Sequence, residues 1–156
     1  MPDGSRFRGK SSGKNGHPIM APCVLTVDDF EPWRKFVCST LQERPHLRNI
    51  LEVSDGLDAV QKARELQPDL ILLDIGLPKL NGLEAARQIQ VLAPYSKIVF
   101  LTESHDPDVA AEALQTGGQG FVVKADAKEE LLAAVDAVLE GKRFLSRRLC
   151  NVATCI

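Results

Sequence analysis

The sequence predicts a five-stranded, doubly wound parallel α/β sheet, and three observations carry that prediction. Five short apolar runs are each followed by a segment with helical periodicity, the alternation that builds a parallel sheet with helices on both faces. One run, Leu70-Ile71-Leu72-Leu73, contains no polar residue, as a strand buried on both sides requires. Polar residues with chemical potential, Asp28, Asp29, Asp74, Thr102 and Lys124, stand at the carboxyl ends of four of these runs.

The elements follow in order. Cys23 to Val27 is the first strand and ends in Asp28-Asp29. Glu31-Pro32 opens a helix, with proline suited to a first turn. Trp33, Phe36, Val37, Thr40 and Leu41 form its apolar face, and Pro45 ends it. Asn49 to Val53 is the second strand. After the turn Ser54-Asp55-Gly56, residues Ala59, Val60, Ala63 and Leu66 line a second helix. Leu70 to Leu73 is the third strand, and a helix from about Gly82 turns Ala86, Ile89 and Ala93 inward. Lys97 to Leu101 is the fourth strand, ending at Thr102. A short helix runs from Pro107 to Thr116 and breaks at Gly117-Gly118. Phe121 to Val123 is the fifth strand, ending at Lys124. The last helix spans Ala127 to about Glu140, with Leu131, Val135, Val138 and Leu139 on one face and Gly141 as its stop. Right-handed crossovers between parallel strands favour a flavodoxin-like winding of such a chain.

The 156 residues suffice for one domain with a core. A formal net charge of -2, from 19 Lys and Arg against 21 Asp and Glu, offers no basic excess for nucleic acid. No apolar run reaches membrane-spanning length, and the basic N-terminus lacks the apolar centre of a signal peptide, so a cytoplasmic location and no membrane partner are expected. Residues 1–20, rich in Gly, Ser, Lys and Arg, read as a disordered leader or tag. Residues 21–145 read as the folded domain, and 146–156 as a tail or linker stub. The four cysteines fit no zinc spacing. Cys23 and Cys38 read as small buried hydrophobes, with a Cys150–Cys155 disulfide as a minor reading.

Parallel strands place all their carboxyl ends along one edge, so Asp28, Asp29, Asp74, Thr102 and Lys124 converge although they are far apart in sequence. Three crowded carboxylates repel one another. A hard divalent cation such as Mg²⁺ relieves that conflict, using one or two carboxylates, waters and a phosphate oxygen. A remaining carboxylate can attack phosphorus, Lys124 can neutralise a phosphoryl oxygen, and the Thr102 hydroxyl can donate to another. Together they are an apparatus for accepting a phosphoryl group.

The motifs Val-Asp-Asp at 27–29, Leu-Leu-Asp-Ile-Gly-Leu-Pro at 72–78, Asn-Gly at 81–82, Leu-Thr at 101–102 and Gly-Phe-Val-Val-Lys at 120–124 form a set that resembles the receiver domains of two-component response regulators, over about Pro22 to Ser146. The resemblance implies that Asp74 is the phosphoacceptor. It further implies that Asp29 is a direct Mg²⁺ ligand, Asp28 acts on the metal through water, and the Gly76 carbonyl is another ligand. Thr102 becomes the switch hydroxyl, Lys124 the phosphate-binding lysine and Phe121 the switch aromatic. Residues 137–146, Ala-Val-Leu-Glu-Gly-Lys-Arg-Phe-Leu-Ser, resemble the end of receivers from LuxR-type (NarL/FixJ-like) transcription factors. The implied partners are a sensor histidine kinase or a phosphotransfer protein, with a homodimer left open. DNA would be contacted only through an output domain that these residues do not contain.

Two departures stand out. Glu103 follows the threonine where the family usually has Ala or Gly, and its bulk and charge are expected to crowd a phosphate. Gly76, two residues after Asp74, offers no side chain to an attacking water. It also argues against a phosphatase, which needs a second Asp there as general acid. A degenerate receiver used only for binding would lack the acidic pair, the acceptor or the lysine, and all are present. Single residues have plainer readings: Asp74 as a loop cap, Asp28 or Asp29 as a helix cap, Lys124 as a solvated cation, Phe121 and Trp33 as packing.

Overall fold

The computed structural model describes residues 22–150 of the protein. Strands β1 (Cys23–Val27), β2 (Asn49–Val53), β3 (Leu70–Asp74), β4 (Lys97–Thr102) and β5 (Gly120–Val123) alternate with helices α1 (Glu31–Leu41), α2 (Gly56–Leu66), α3 (Gly82–Leu92), α4 (Pro107–Gln115) and α5 (Ala127–Leu139). A two-residue strand β6 (Phe144–Leu145) and a single helical turn α6 (Arg147–Cys150) follow. The sheet order is β2-β1-β3-β4-β5-β6 with every pair parallel. It is the doubly wound, flavodoxin-like winding with its reversal of strand order between β1 and β3.

Each face of the sheet buries its own apolar layer. One layer joins Leu25, Ile71, Leu73 and Phe100 of the strands to Ala59 and Ala63 of α2, Ala86 and Ile89 of α3, and Ala110 and Ala113 of α4. The other joins Val24, Leu70, Leu72, Val99 and Val122 to Val37 and Leu41 of α1 and Leu131, Val135 and Val138 of α5. Every residue of β3 is buried, as its uninterrupted apolar run requires. Helix starts are set locally. Asp55, Asn81 and Asp106 accept hydrogen bonds from the backbone N–H of Asp58 (2.8 Å), Glu84 (3.0 Å) and Asp108 (2.9 Å), which satisfies donors that have no partner inside the helix.

The sheet differs from the sequence reading in one strand. β6 pairs with the outer edge of β5 and makes six strands among the described residues where five are expected. Two residues are too few to show periodicity, and the strand exists because the free edge of β5 has backbone groups to satisfy. The folded boundary read at residue 145 also falls short. Ser146 and Leu149 are fully buried, and Leu149 belongs to the first apolar layer. On α2, Leu66 is exposed rather than inward, since Ala59 and Ala63 already fill the narrow contact beneath the helix. Cys23 and Cys38 are half-buried rather than core residues. The leader and Cys155 lie outside the described residues.

Candidate functional site

The carboxyl ends of β1 and β3 flank the reversal of strand order, and this is where Asp28 and Asp74 sit. Asp28 is 1% exposed and Asp74 6%. Carboxylate oxygens of Asp28, Asp29 and Asp74 all lie within 4.8 Å of one another, with Asp29 facing solvent. Lys124 enters from the end of β5. Its Nζ donates to Asp28 Oδ2 at 2.5 Å and stands 3.5 Å from Asp74 Oδ1.

Local structure fixes each carboxylate. The second oxygen of Asp28, Oδ1, accepts from the Phe30 N–H at 2.9 Å. Its backbone N–H donates to the Val53 carbonyl at 3.0 Å, and Arg34 Nη1 donates to its carbonyl at 2.8 Å. Arg34 is itself held by Glu52 at 3.0 Å. Beyond Asp74 the loop folds back tightly: the N–H groups of Leu77 and Gly82 donate to the Ile75 carbonyl at 2.9 and 2.7 Å. A Cβ on Gly82 would collide with the Asp74 carbonyl oxygen, and one on Gly56 with the Leu80 carbonyl oxygen. Both glycines therefore allow two backbones to approach. Lys79, at φ 69°, adopts the left-handed conformation in the same loop, with its Nζ 3.5 Å from Asp55.

The electrostatics are unbalanced. Burial pushes the Asp74 carboxyl up to about 6, with Asp28 and Asp29 adding to the rise and Lys124 opposing it. Among the described residues one ammonium faces three carboxylates. The surplus negative charge, the all-oxygen donors and one solvent-facing carboxylate fit a hard divalent cation that keeps part of its water shell.

The structure thus brings together Asp28, Asp29, Asp74 and Lys124, as the sequence reading expects. Thr102 is 5% exposed and one residue beyond Leu101, the residue on β4 paired with Asp74. Its Oγ1 accepts from the Ser104 N–H at 3.2 Å, leaving the hydroxyl proton to donate elsewhere. Gly76 is exposed in the loop, and Glu103 is exposed after β4. Phe121 is fully buried, 6.5 Å from the Phe100 ring between centroids. Its ring thus already stands inward in this structure. The sequence alone marks Gly56 only as a turn residue and Trp33 only as packing. The structure places the Trp33 ring beside the Lys124 ammonium, at 4.9 Å from Nζ to the ring centroid. The one hint of this was that Trp33 lies four residues after the acidic pair, where the first turn of a helix faces the site.

The comparisons agree with this geometry. Residues 24–136 match the family model of the response regulator receiver domain. A putative transcriptional regulator of Pseudomonas aeruginosa is 40% identical over 118 residues, covering 76% of this chain and 56% of its own length. The putative positive transcription regulator of virulence factors BvgA, of Bordetella pertussis, is 36% identical over 121 residues, covering 78% of this chain and 57% of its own. The chain thus spans little more than half the length of these curated relatives. A solved two-component response regulator of the LuxR family from Aurantimonas sp. SI85-9A1 superposes with a TM-score of 0.77 at 28% identity, over 84% of this chain and 94% of that one. A match over most of the described residues, with the acidic cluster and lysine at the sheet edge, means that this chain belongs to the response regulator receiver domain family.

Proposed function

We propose that this receiver takes a phosphoryl group on Asp74 and that the change reaches a transcriptional output. The observation that carries this reading is the constellation at the edge of the sheet, three carboxylates within 4.8 Å of one another and a lysine between two of them. Asp74 Oδ attacks the phosphorus of a phosphohistidine on a sensor kinase or phosphotransfer protein. The P–N bond breaks, the imidazole leaves, and an acyl phosphate forms on Asp74. Asp28, Asp29, Asp74 and the Gly76 carbonyl would hold Mg²⁺, which when bound neutralises charge on the carboxylates and the phosphoryl oxygens. Lys124 trades part of its contact with Asp28 for a phosphoryl oxygen, and the Thr102 hydroxyl donates to a second one.

An output of LuxR type is supported by the solved LuxR-family regulator, and a transcriptional output by the two curated regulators, little more than half of whose length this chain matches. The partner kinase, a homodimer and a cytoplasmic location belong to the same reading. No helix among the described residues is long and apolar enough to cross a membrane. Intact-mass measurement after incubation with acetyl phosphate and Mg²⁺ tests the acceptor. One phosphoryl group is expected on the wild type and none on Asp74→Asn; a folded wild type of unchanged mass contradicts the reading.

A further inference from the structure

Among the described residues Lys124 carries the one ammonium that touches the acidic cluster, yet a lysine stem of four carbons does not fix its own head group. Two of the neighbours that place Nζ are the carboxylates of Asp28 at 2.5 Å and Asp74 at 3.5 Å. A third is the indole of Trp33, with Nζ 4.9 Å from the ring centroid, inside the range in which an ammonium is attracted to an aromatic ring. The Lys124 side chain is only 11% exposed, so little water competes for this cation. The ring is itself held. Trp33 lies in the first turn of α1, where its backbone N–H donates to the Phe30 carbonyl at 3.1 Å, and its ring packs at 5.0 Å and 37° against the Phe36 ring. Both aromatics rest on the apolar layer shared by α1 and α5.

From this geometry we infer that Trp33 is a positioning residue for the Lys124 ammonium, an inference that rests on the role proposed for Lys124 above. A carboxylate pair alone would hold the lysine tightly, and it already lies closer to Asp28 than to Asp74. A ring is a different kind of neighbour. It attracts the cation without accepting a directed hydrogen bond, so the N–H donors stay free to aim into the crevice. It also blocks water and alternative lysine rotamers on its side. When a phosphoryl oxygen arrives at Asp74, Nζ has a short distance to travel and a favourable surface throughout the move. With an aliphatic residue at position 33 the ammonium gains rotamers that must be lost again when phosphate is bound.

Two arms test this. In the first, the rate of aspartyl phosphate formation from acetyl phosphate at saturating Mg²⁺ is measured for wild type, Trp33→Leu and Trp33→Phe, with circular dichroism and thermal melting to establish that each folds. Loss of the ring face should slow Trp33→Leu by about threefold or more, while Trp33→Phe stays within about twofold of wild type, because the face is retained. Mg²⁺ affinity should be unchanged in both, since neither residue type supplies a metal ligand. The second arm needs no phosphoryl transfer. Trp33 is the only tryptophan of the chain, so its emission in the unphosphorylated protein should differ between wild type and Lys124→Met. Trp33→Leu reacting at the wild-type rate, Trp33→Phe as slow as Trp33→Leu, or identical emission with and without the ammonium would each overturn the inference. If the wild type itself takes no phosphoryl group, the acceptor reading of Asp74 fails, and the emission arm still decides whether the ring senses the ammonium.

Discussion

Asp74 is a carboxylate placed where its charge is poorly solvated and badly matched. Its pKa of about 6, against an ordinary 3.8, means that the folded protein binds this proton more tightly than the unfolded chain does. The stability it contributes is therefore complete below about pH 4 and is lost as the pH rises through 6, an effect on the order of 2–3 kcal/mol. Glu52, Asp55 and Asp126 shift the other way, lowered by hydrogen bonds from Lys35, from the Asp58 N–H and from Arg148, and favour the fold as the pH rises. The comparison that isolates Asp74 is with Asp74→Asn. In metal-free buffer the variant should melt several degrees above wild type at pH 7.5 and close to it at pH 4.5. Equal melting temperatures at both values would show that Asp74 is not strained by its surroundings. Mg²⁺ should bind more weakly at pH 5 than at pH 7.5, because at the lower value it must displace a proton; isothermal titration reads this directly.

At the scale of elements, the strand ends were legible in the sequence and the tail was not. A pure apolar run followed at once by Asp, Thr or Lys marks both a buried strand and its carboxyl end, and parallel pairing then fixes which ends are neighbours. That is why the sequence alone groups Asp28, Asp29, Asp74 and Lys124. Trp33 could not be assigned to Lys124, because their meeting depends on how α1 is rotated against the end of β5, and no local pattern encodes that rotation. β6 escaped notice for a simpler reason, since two residues carry no period. The structure gives this short strand a strong attachment. Ser146 accepts from the Val123 N–H at 2.8 Å and donates to Glu130 at 2.6 Å, its N–H donates to the Phe121 carbonyl at 2.9 Å, and Arg148 grips Asp126 through two bonds of 2.7 Å. Ser146→Ala should destabilise the fold by about 1–3 kcal/mol, read by urea unfolding, because it strands a buried backbone donor. A change below the error of that measurement would mean that β6 is only loosely attached. Gly82→Ala should act on the site itself: the backbone beneath Asp74 must shift, and Mg²⁺ affinity should fall with it, whereas an unchanged affinity would show that the loop yields without moving the carboxylate.

For the molecule as a whole, the winding explains why the chemistry is where it is. Reversal of strand order between β1 and β3 opens a crevice at one edge, and every residue of the proposed phosphoryl apparatus is at or next to that edge. The formal net charge of -2 gives the chain no overall basic excess. Residues 1–156 should therefore show no sequence-selective DNA binding at physiological salt in a gel-shift titration, and retention by the basic N-terminal residues should vanish as salt rises. Tight, selective binding would place a DNA-reading surface on the receiver itself. The central claim, that these strand ends converge to make Asp74 a phosphoacceptor, is tested most directly by trapping. Borohydride reduces an acyl phosphate to the alcohol and so turns a phosphorylated aspartate into homoserine. After treatment with acetyl phosphate and Mg²⁺, then borohydride, peptide mass spectrometry should find homoserine at position 74 and at neither Asp28 nor Asp29. Homoserine at either of those positions, or at none of the three, would contradict the account.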